Sequence, residues 1–144
     1  MNGVDIMTEL ARLSLSLEQP LLQQLNQMTE EEGYRNRSEF IRDLIRDHKV
    51  KKQWESQEEV LGTLTIIFDH HQPELTRKLT DLQHDFPGKV LAATHVHISH
   101  HICAEMIMLS GLGSEIQTMT NTIRSLRGIL HAELALGTTG HGII

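Results

Sequence analysis

The sequence predicts an α+β protein made of two units, one short strand with two helices and then a β-α-β-β-α-β arrangement. Three observations support this prediction. Residues 12–17 alternate strictly between polar and apolar side chains, residues 18–53 carry two helical apolar stripes, and residues 60–136 alternate between strand-like and helix-like segments. A chain of 144 residues is long enough for one average domain or two small ones.

The first unit begins with the alternating run. Its apolar members are predicted to face a core, and they are Leu13, Leu15 and Leu17. The opposite face of the same strand carries Arg12, Ser14 and Ser16.

Two helices follow the strand. Pro20 is tolerated only in the first turn of a helix, and Gly33 is a typical helix terminator, so the first helix lies between them. Asn36 and Glu39 resemble a capping box at the start of the second helix. The apolar stripes of the two helices are Leu21, Leu22, Leu25 and Met28, then Phe40, Ile41, Leu44 and Ile45.

One strand and two helices cannot bury enough apolar surface alone, so this unit is predicted to dimerise. Two antiparallel copies of the strand would form a ribbon that fits the major groove of DNA and presents Arg12, Ser14 and Ser16 twice. This is the architecture of a ribbon-helix-helix DNA-binding domain. Phosphate contacts are expected from Arg37 and Ser38, where the second helix begins. An antitoxin-like dimerisation domain is the alternative for the same pattern.

The formal net charge of −6 at first argues against a nucleic-acid partner. The charge is uneven, however, because residues 35–52 contain seven basic and three acidic side chains, a local balance of +4. Such a run on a helix is more often a solvated face than a binding surface. It therefore supports the DNA-binding prediction only weakly.

The second unit is predicted to be ferredoxin-like. The expected elements are strand 60–69, helix 73–84, strand 89–99, strand 102–109, helix 114–126 and strand 128–136. The predicted organisation is an N-terminal arm (1–10), the DNA-binding domain (11–53), a polar linker (54–59), the ferredoxin-like domain (60–136) and a flexible tail (137–144). This fold hosts many functions, so the function must come from a site.

A metal site is predicted at the hairpin of residues 89–109. His95 and His97 project from one side of a strand, and an antiparallel turn near His100 places Cys103 opposite His97 and Glu105 opposite His95. Imidazole with thiolate favours late transition metals over magnesium or calcium. The plainer interpretation is a buried, inert cysteine beside hydrogen-bonded histidines. A fourth ligand, His84, could come from the same chain or a neighbour.

The spacing His84-x10-His95-x-His97-x5-Cys103, beside a ribbon-helix-helix unit, closely resembles the nickel-responsive transcriptional regulators over residues 11–136. The resemblance implies one Ni(II) per subunit, held by His95, His97 and Cys103 with His84 of another subunit completing a square-planar set. It also implies ACT-type domains at the centre of a homotetramer, with a DNA-binding dimer at each end. An alkali cation such as K⁺, held between the domains with help from Glu39 and Asp43, is a further implication.

The sequence thus predicts a repressor that binds double-stranded operator DNA and has no enzymatic activity and no small organic substrate. Sensing of cobalt, copper or zinc, metal storage or delivery, and an enzyme with an ACT-type regulatory domain are the alternatives. No membrane span or signal peptide is apparent, and one cysteine cannot form an internal disulfide, so a cytoplasmic protein is expected. Roles for residues 1–10 and for the extra histidines, His70, His71, His100 and His101, are left open.

Overall fold

A computed structural model describes residues 9–143 of the chain. Contacts between residues divide the chain into two compact units, one reaching to Asp47 and joined by the final residues from Gly142, the other formed by His48–His141. The predicted arm lies outside the described residues except for Glu9 and Leu10.

The two predicted helices of the first unit are confirmed. α1 spans Gln19–Glu31 with proline in its first turn, and Gly33 follows it at a φ of +76°, a left-handed conformation that favours glycine. α2 spans Arg37–Glu55. The side-chain oxygen of Asn36 accepts a hydrogen bond of 3.0 Å from the Glu39 backbone N–H, as expected of a residue that caps a helix.

Residues 9–18 form no strand in the single chain, although a strand is predicted at residues 12–17. A strand exists through hydrogen bonds to a neighbouring strand, and the predicted neighbour is a second copy of the same segment. The leucines of the alternating run are accordingly exposed, Leu13 by 77% and Leu15 by 57%. The structure of the single chain therefore shows the segment that is predicted to form the ribbon, but not the ribbon itself.

The second unit has the predicted element order. β1 (Glu59–Asp69), α3 (Leu75–His84), β2 (Lys89–His97), β3 (Ile102–Leu112), α4 (Gly113–Arg124) and β4 (Ile129–Leu136) follow one another along the chain. The four strands form one sheet in the order β2-β3-β1-β4, and every neighbouring pair is antiparallel. This is the ferredoxin-like arrangement, and its elements begin and end within a few residues of the predicted positions.

The core of this unit lies on one face of the sheet. Alternate residues of β1 are fully buried, among them Leu64, Ile66 and Phe68, as expected for a strand with one face turned inward. Side chains of α3 and α4 belong to the same buried cluster, for example Leu79 and Ile116. β2 is an edge strand, and most of its residues are exposed.

The end of α2 is tied to the segment after β4. The Trp54 indole donates a hydrogen bond of 2.9 Å to the Gly137 carbonyl, and the Gln53 amide donates one of 2.8 Å to the His141 carbonyl. The Thr138 hydroxyl donates to the Gln53 side chain at 2.9 Å. α2 thus continues into the predicted linker, and the predicted tail has defined hydrogen-bond partners on α2.

Gly113 marks the close approach of α2 to the start of α4. A Cβ atom at this position would lie 2.5 Å from the Trp54 carbonyl oxygen, closer than a real side chain tolerates. Within residues 9–143, none of the helices combines the length and the hydropathy that crossing a lipid bilayer requires.

Candidate metal centre

The candidate site is built on the hairpin of β2 and β3. The turn is closed by the backbone N–H groups of Ile98 and Ser99, which both donate to the Ile102 carbonyl. In the resulting register His97 pairs with Cys103 and His95 pairs with Glu105. The structure therefore confirms the register predicted from the alternation of side chains on the two strands.

His97 and Cys103 form the closest pair of the site. The His97 Nδ1 atom lies 3.1 Å from the Cys103 Sγ atom. Cys103 is fully buried, whereas His97 is exposed on the edge strand. An imidazole nitrogen and a sulfur atom at this separation can share one proton, and they can equally bind one metal ion once that proton has left.

His95 lies next to this pair. Its ring centroid is 5.0 Å from that of His97, and its ring and that of Phe68 pack edge to face at a centroid distance of 5.8 Å. The His95 Nδ1 atom lies 3.8 Å from a carboxylate oxygen of Glu105, which is beyond hydrogen-bond length but favours an Nδ1–H directed towards the carboxylate.

Gln83 is a contributor that sequence reasoning missed. Its side-chain amide, on α3, donates a hydrogen bond of 2.8 Å to the other carboxylate oxygen of Glu105. Outer partners of this kind orient a metal-binding histidine and fix its tautomer. Its position one residue before His84 was the available signal, but sequence alone could not show which way the side chain points.

Two of the four predicted ligands come together in the single chain. Among the described residues, the set of three potential donors whose ligand atoms all lie within 4.8 Å of one another consists of His70, His97 and Cys103. His95 is a neighbour of this set rather than a member. His84 is the last residue of α3, is exposed and is also outside the set.

The four additional histidines gather at the same end of the sheet. His70 Nδ1 lies 3.2 Å from the His101 carbonyl, and His71 Nε2 lies 3.1 Å from the His100 carbonyl. The His71 backbone N–H donates to Asp69, and this hydrogen bond lowers the pKa of the Asp69 carboxyl below its ordinary value. The contacts of His70 with His101 and of His71 with His100 connect the end of β1 to the turn between β2 and β3.

The donor set fits a late transition metal. A thiolate and imidazoles are soft to intermediate ligands, whereas magnesium and calcium require several oxygen ligands. The sulfur atom is buried and the imidazole rings are exposed. A metal ion that approaches from the edge strand would therefore have the donor atoms on one side and solvent on the other.

The predicted DNA-contacting residues are all exposed. Arg12, Ser14 and Ser16 lie in the unpaired segment before α1, while Arg37 and Ser38 occupy the first turn of α2. These side chains are therefore accessible in the single chain. The structure contains no DNA, so it does not show whether the residues before α1 and those at the start of α2 contact the same duplex.

Glu39 and Asp43, predicted to help hold an alkali cation, lie one turn apart on α2. An Asp43 carboxylate oxygen lies 3.2 Å from Arg46. The Tyr34 hydroxyl hydrogen bond to Asp43 is the main cause that raises the pKa of the tyrosine above its ordinary value. Asp43 thus interacts with both Arg46 and Tyr34. The alkali cation at Glu39 and Asp43 remains a prediction.

Two family models match the chain, one in each unit. Residues 11–52 match the ribbon-helix-helix proteins of the copG family, and residues 61–136 match the NikR C-terminal nickel-binding domain. The second match contains the whole hairpin with His84, His95, His97 and Cys103.

Whole-chain relatives are found in bacteria and archaea. A curated protein of Desulfotalea psychrophila is 41% identical over 93% of this chain and 98% of its own length, and one of Nitratidesulfovibrio vulgaris is 40% identical over 92% and 96%. One of Pyrococcus horikoshii is 39% identical over 94% and 99%. Each of the three is named as a candidate nickel-responsive regulator.

Among solved structures, an ACT domain of a GTP pyrophosphokinase from Chlorobium tepidum is similar, with a TM-score of 0.49 and 14% identity. The similarity extends over 54% of this chain and 99% of that domain.

Proposed function

We propose, on the premise that this chain belongs to the NikR family of nickel-responsive regulators, that it controls transcription by binding double-stranded operator DNA when Ni(II) is bound. It is a regulator and not an enzyme. The observation that carries the proposal is the pairing of His97 with Cys103 and of His95 with Glu105 on one hairpin.

The proposed nickel ligands are His95, His97 and Cys103 of one subunit with His84 of a neighbouring subunit, one Ni(II) per subunit. Two distances support the first part, 3.1 Å between His97 Nδ1 and Cys103 Sγ and 5.0 Å between the rings of His95 and His97. The exposed position of His84 at the end of α3 suits a ligand given to another subunit. Bound nickel would supply a strong, directional link between the two chains.

A homotetramer, assembled as a dimer of dimers, is the proposed form. Exposed apolar side chains on the sheet face opposite the helices support it, and they include Val96, Met106 and Met108. A monomer rarely leaves such a group uncovered. The nickel ligands His95, His97 and Cys103 lie on the other face, at the exposed β2 edge, and the proposed neighbour would offer its His84 there.

The proposed DNA-reading surface is a ribbon of two Arg12–Leu17 segments. Arg12 is suited to a bidentate contact with guanine, and the hydroxyls of Ser14 and Ser16 suit base edges. Arg37 and Ser38 begin α2, where backbone N–H groups and a basic side chain favour a phosphate. This division assigns sequence recognition to the ribbon and positioning to the helix.

Two finer parts complete the proposal. An alkali cation such as K⁺ would use Glu39 and Asp43, and it would have to compete with Arg46 for the Asp43 carboxylate. The cytoplasm is the proposed compartment, since the metal site requires a reduced Cys103.

Linkage provides the decisive experiment. If Ni(II) raises the affinity of the protein for operator DNA, operator DNA must raise the affinity for Ni(II) by the same factor. Nickel affinity would be measured by competition with a chelator, with and without an operator duplex identified by footprinting the upstream DNA of the protein's own gene. Equal nickel affinities in the two measurements contradict a nickel-responsive regulator.

The ligand assignment has its own test. Ni(II) bound to Cys103 is expected to give a thiolate-to-metal charge-transfer band, and Cys103→Ser should abolish it because a hydroxyl is a poor substitute for a soft anionic donor. A Cys103→Ser protein that keeps both the band and the nickel affinity shows that the sulfur is not a ligand.

A further inference from the structure

The segment that follows β4 is bound to two elements of the second unit. We call residues 137–141 the strap, and Gly137 is its first residue. The Gly137 backbone N–H donates a hydrogen bond of 2.7 Å to the Leu61 carbonyl on β1, and the Gly137 carbonyl accepts one of 2.9 Å from the Trp54 indole on α2. One residue of the strap therefore joins the sheet to the last turn of the helix.

Gln53 holds the rest of the strap. Its side chain is only 8% exposed. The amide nitrogen donates to the His141 carbonyl at 2.8 Å, and the amide oxygen accepts from the Thr138 hydroxyl at 2.9 Å. The strap thus binds both ends of one amide, and burying that amide without these partners would cost free energy.

β1 connects the strap to the candidate metal centre. Near the end of the strand, Phe68 pairs with Cys103 on β3, and its ring centroid lies 5.8 Å from that of His95. Near the start of the strand, Leu61 accepts the hydrogen bond from the strap. The inward-facing side chains of β1 between these points are buried, and a close-packed interior transmits strain. A change at the proposed nickel ligands can therefore reach the strap along one strand.

α2 continues the connection towards the DNA-binding unit. It is one uninterrupted helix from Arg37 to Glu55, and the chain passes from the first unit into the second within it. Its first turn carries the residues proposed to contact phosphate, and its last turn carries the partners of the strap, Gln53 and Trp54. Coupling between distant sites is carried by packed side chains, hydrogen bonds and rigid elements of this kind.

We propose that the strap is a positioning element for the nickel response, because its hydrogen bonds to Gln53 fix the end of α2 on the sheet. Nickel bound at the hairpin then favours one arrangement of α2. Once the strap is released, the metal centre has no such preference, and a ligand with equal affinity for two arrangements shifts neither. Gln53 and Thr138 act through α2 and contact neither the metal nor the DNA.

The proposal rests on the proposed function, since it specifies how the two binding sites of that function are coupled. The quantity to measure is the coupling factor, which is the ratio of operator affinities with and without Ni(II). Fluorescence anisotropy with an operator duplex gives both affinities for the full chain. Competition with a chelator gives the nickel affinity without DNA.

Two variants break the hydrogen bonds of the strap. Thr138→Val removes one, and Gln53→Leu removes both side-chain bonds while keeping a good helix former in α2. Thr138→Val should lower the coupling factor about two- to tenfold, the factor that one lost hydrogen bond represents. Gln53→Leu should lower it further. Nickel affinity without DNA and operator affinity without nickel should stay at their wild-type values.

Thr138→Ser is the conservative variant, because it keeps the hydroxyl and should keep the wild-type coupling factor. Thr139→Val is the matched control at an exposed neighbour and should also behave like wild type. If Gln53→Leu does not fold, as judged by circular dichroism, the comparison of Thr138→Val with Thr138→Ser decides the matter.

Three results separate this proposal from the others. A Thr138→Val protein that is less stable but keeps the wild-type coupling factor overturns the strap proposal, since the strap is then purely structural. Weaker nickel binding without DNA in this variant also overturns it, because the strap would then shape the metal site itself. A wild-type coupling factor of one contradicts the proposed function instead, whereas failure of the strap alone requires a wild-type factor above one.

Discussion

Residues 9–47 and residues 48–141 differ in how much apolar surface a single chain buries. In the described part of the first unit, Leu25 and Phe40 are the buried apolar side chains, while both helices leave stripe residues such as Met28 and Ile45 exposed. The second unit has a cluster of fourteen buried residues on one face of its sheet. One unit folds around its own core, and the other is expected to need a second copy to complete one.

This contrast teaches that the two units should respond differently to dilution. A core within one chain is independent of protein concentration, whereas a core completed by a second copy is stabilised by mass action. DNA recognition, placed in the first unit, is therefore expected to depend on assembly. Metal chemistry, placed in the second, rests mainly on a scaffold that each chain folds for itself.

The largest expected effect comes from polar substitution in the alternating run. Leu15→Ser should cost each chain of a ribbon dimer about 2–5 kcal/mol, as for a large apolar residue lost from a core. Operator affinity measured by fluorescence anisotropy should fall by about a thousandfold or more, towards non-specific binding. Nickel affinity should be unchanged.

Leu10→Ser is the matched control, because Leu10 is more exposed still and lies before the alternating run. It should bind operator like wild type. If Leu15→Ser also binds normally, Leu15 does not face a core in the DNA-bound state, and the contrast between the units is lost.

A core truncation in the second unit should come next. Leu64 is fully buried on β1, and Leu64→Ala should lower the free energy of unfolding by about 2–5 kcal/mol. The loss should be the same at low and high protein concentration when measured by urea unfolding followed by circular dichroism. A loss that disappears at high concentration would mean that this unit, too, depends on assembly for its core.

Substitutions of two arginines of the first unit should have smaller effects on DNA binding, and the two effects should differ in kind. Arg12→Ala should cost about 1–3 kcal/mol of discrimination between operator and random DNA, because it removes a base contact. Arg37→Ala should weaken binding to both DNAs alike and lower the slope of log affinity against log salt by about one unit. Titrations at several salt concentrations would separate the two roles, and interchanged results would reverse the assignments.

The smallest expected effect lies where the end of α2 meets the segment after β4. Thr138→Val removes the hydrogen bond to Gln53, a buried amide, and should cost about 0.5–1.5 kcal/mol in thermal or urea unfolding. Thr139→Val is the matched control at an exposed neighbour and should cost nothing measurable. Equal stability of the two variants would favour the flexible tail that the sequence predicts.

Local patterns predicted most of the second unit. Strand alternation gave the register of His97 with Cys103, because side chains on paired strands must match in phase when one face is buried. In the first unit, the starts of the two helices were predicted equally directly. Pro20 and Asn36 mark these starts because each affects the backbone within a few residues of its own position.

Longer-range features were beyond these patterns. The approach of His70 to Cys103 depends on β1 being the other neighbour of β3, and the contact between Gln83 and Glu105 depends on how α3 packs on the sheet. The ribbon strand was predicted from its alternation but is missing from the single chain, as expected if its hydrogen-bond partner belongs to a second copy. The sequence thus supplied candidate residues for the site, and the packing of the elements decides which of them meet.

The complete burial of Cys103 bears on how the protein withstands oxidative stress. Peroxide attacks thiolates that it can reach, and the resulting sulfinic and sulfonic acids no longer serve as thiolate ligands. With its sulfur enclosed behind the edge strand, and one cysteine in the whole chain, this protein has no exposed thiol and no second thiol in the same chain for an internal disulfide. The burial that positions the Cys103 sulfur therefore also slows its oxidation. A site that has lost its metal is then less readily inactivated for good.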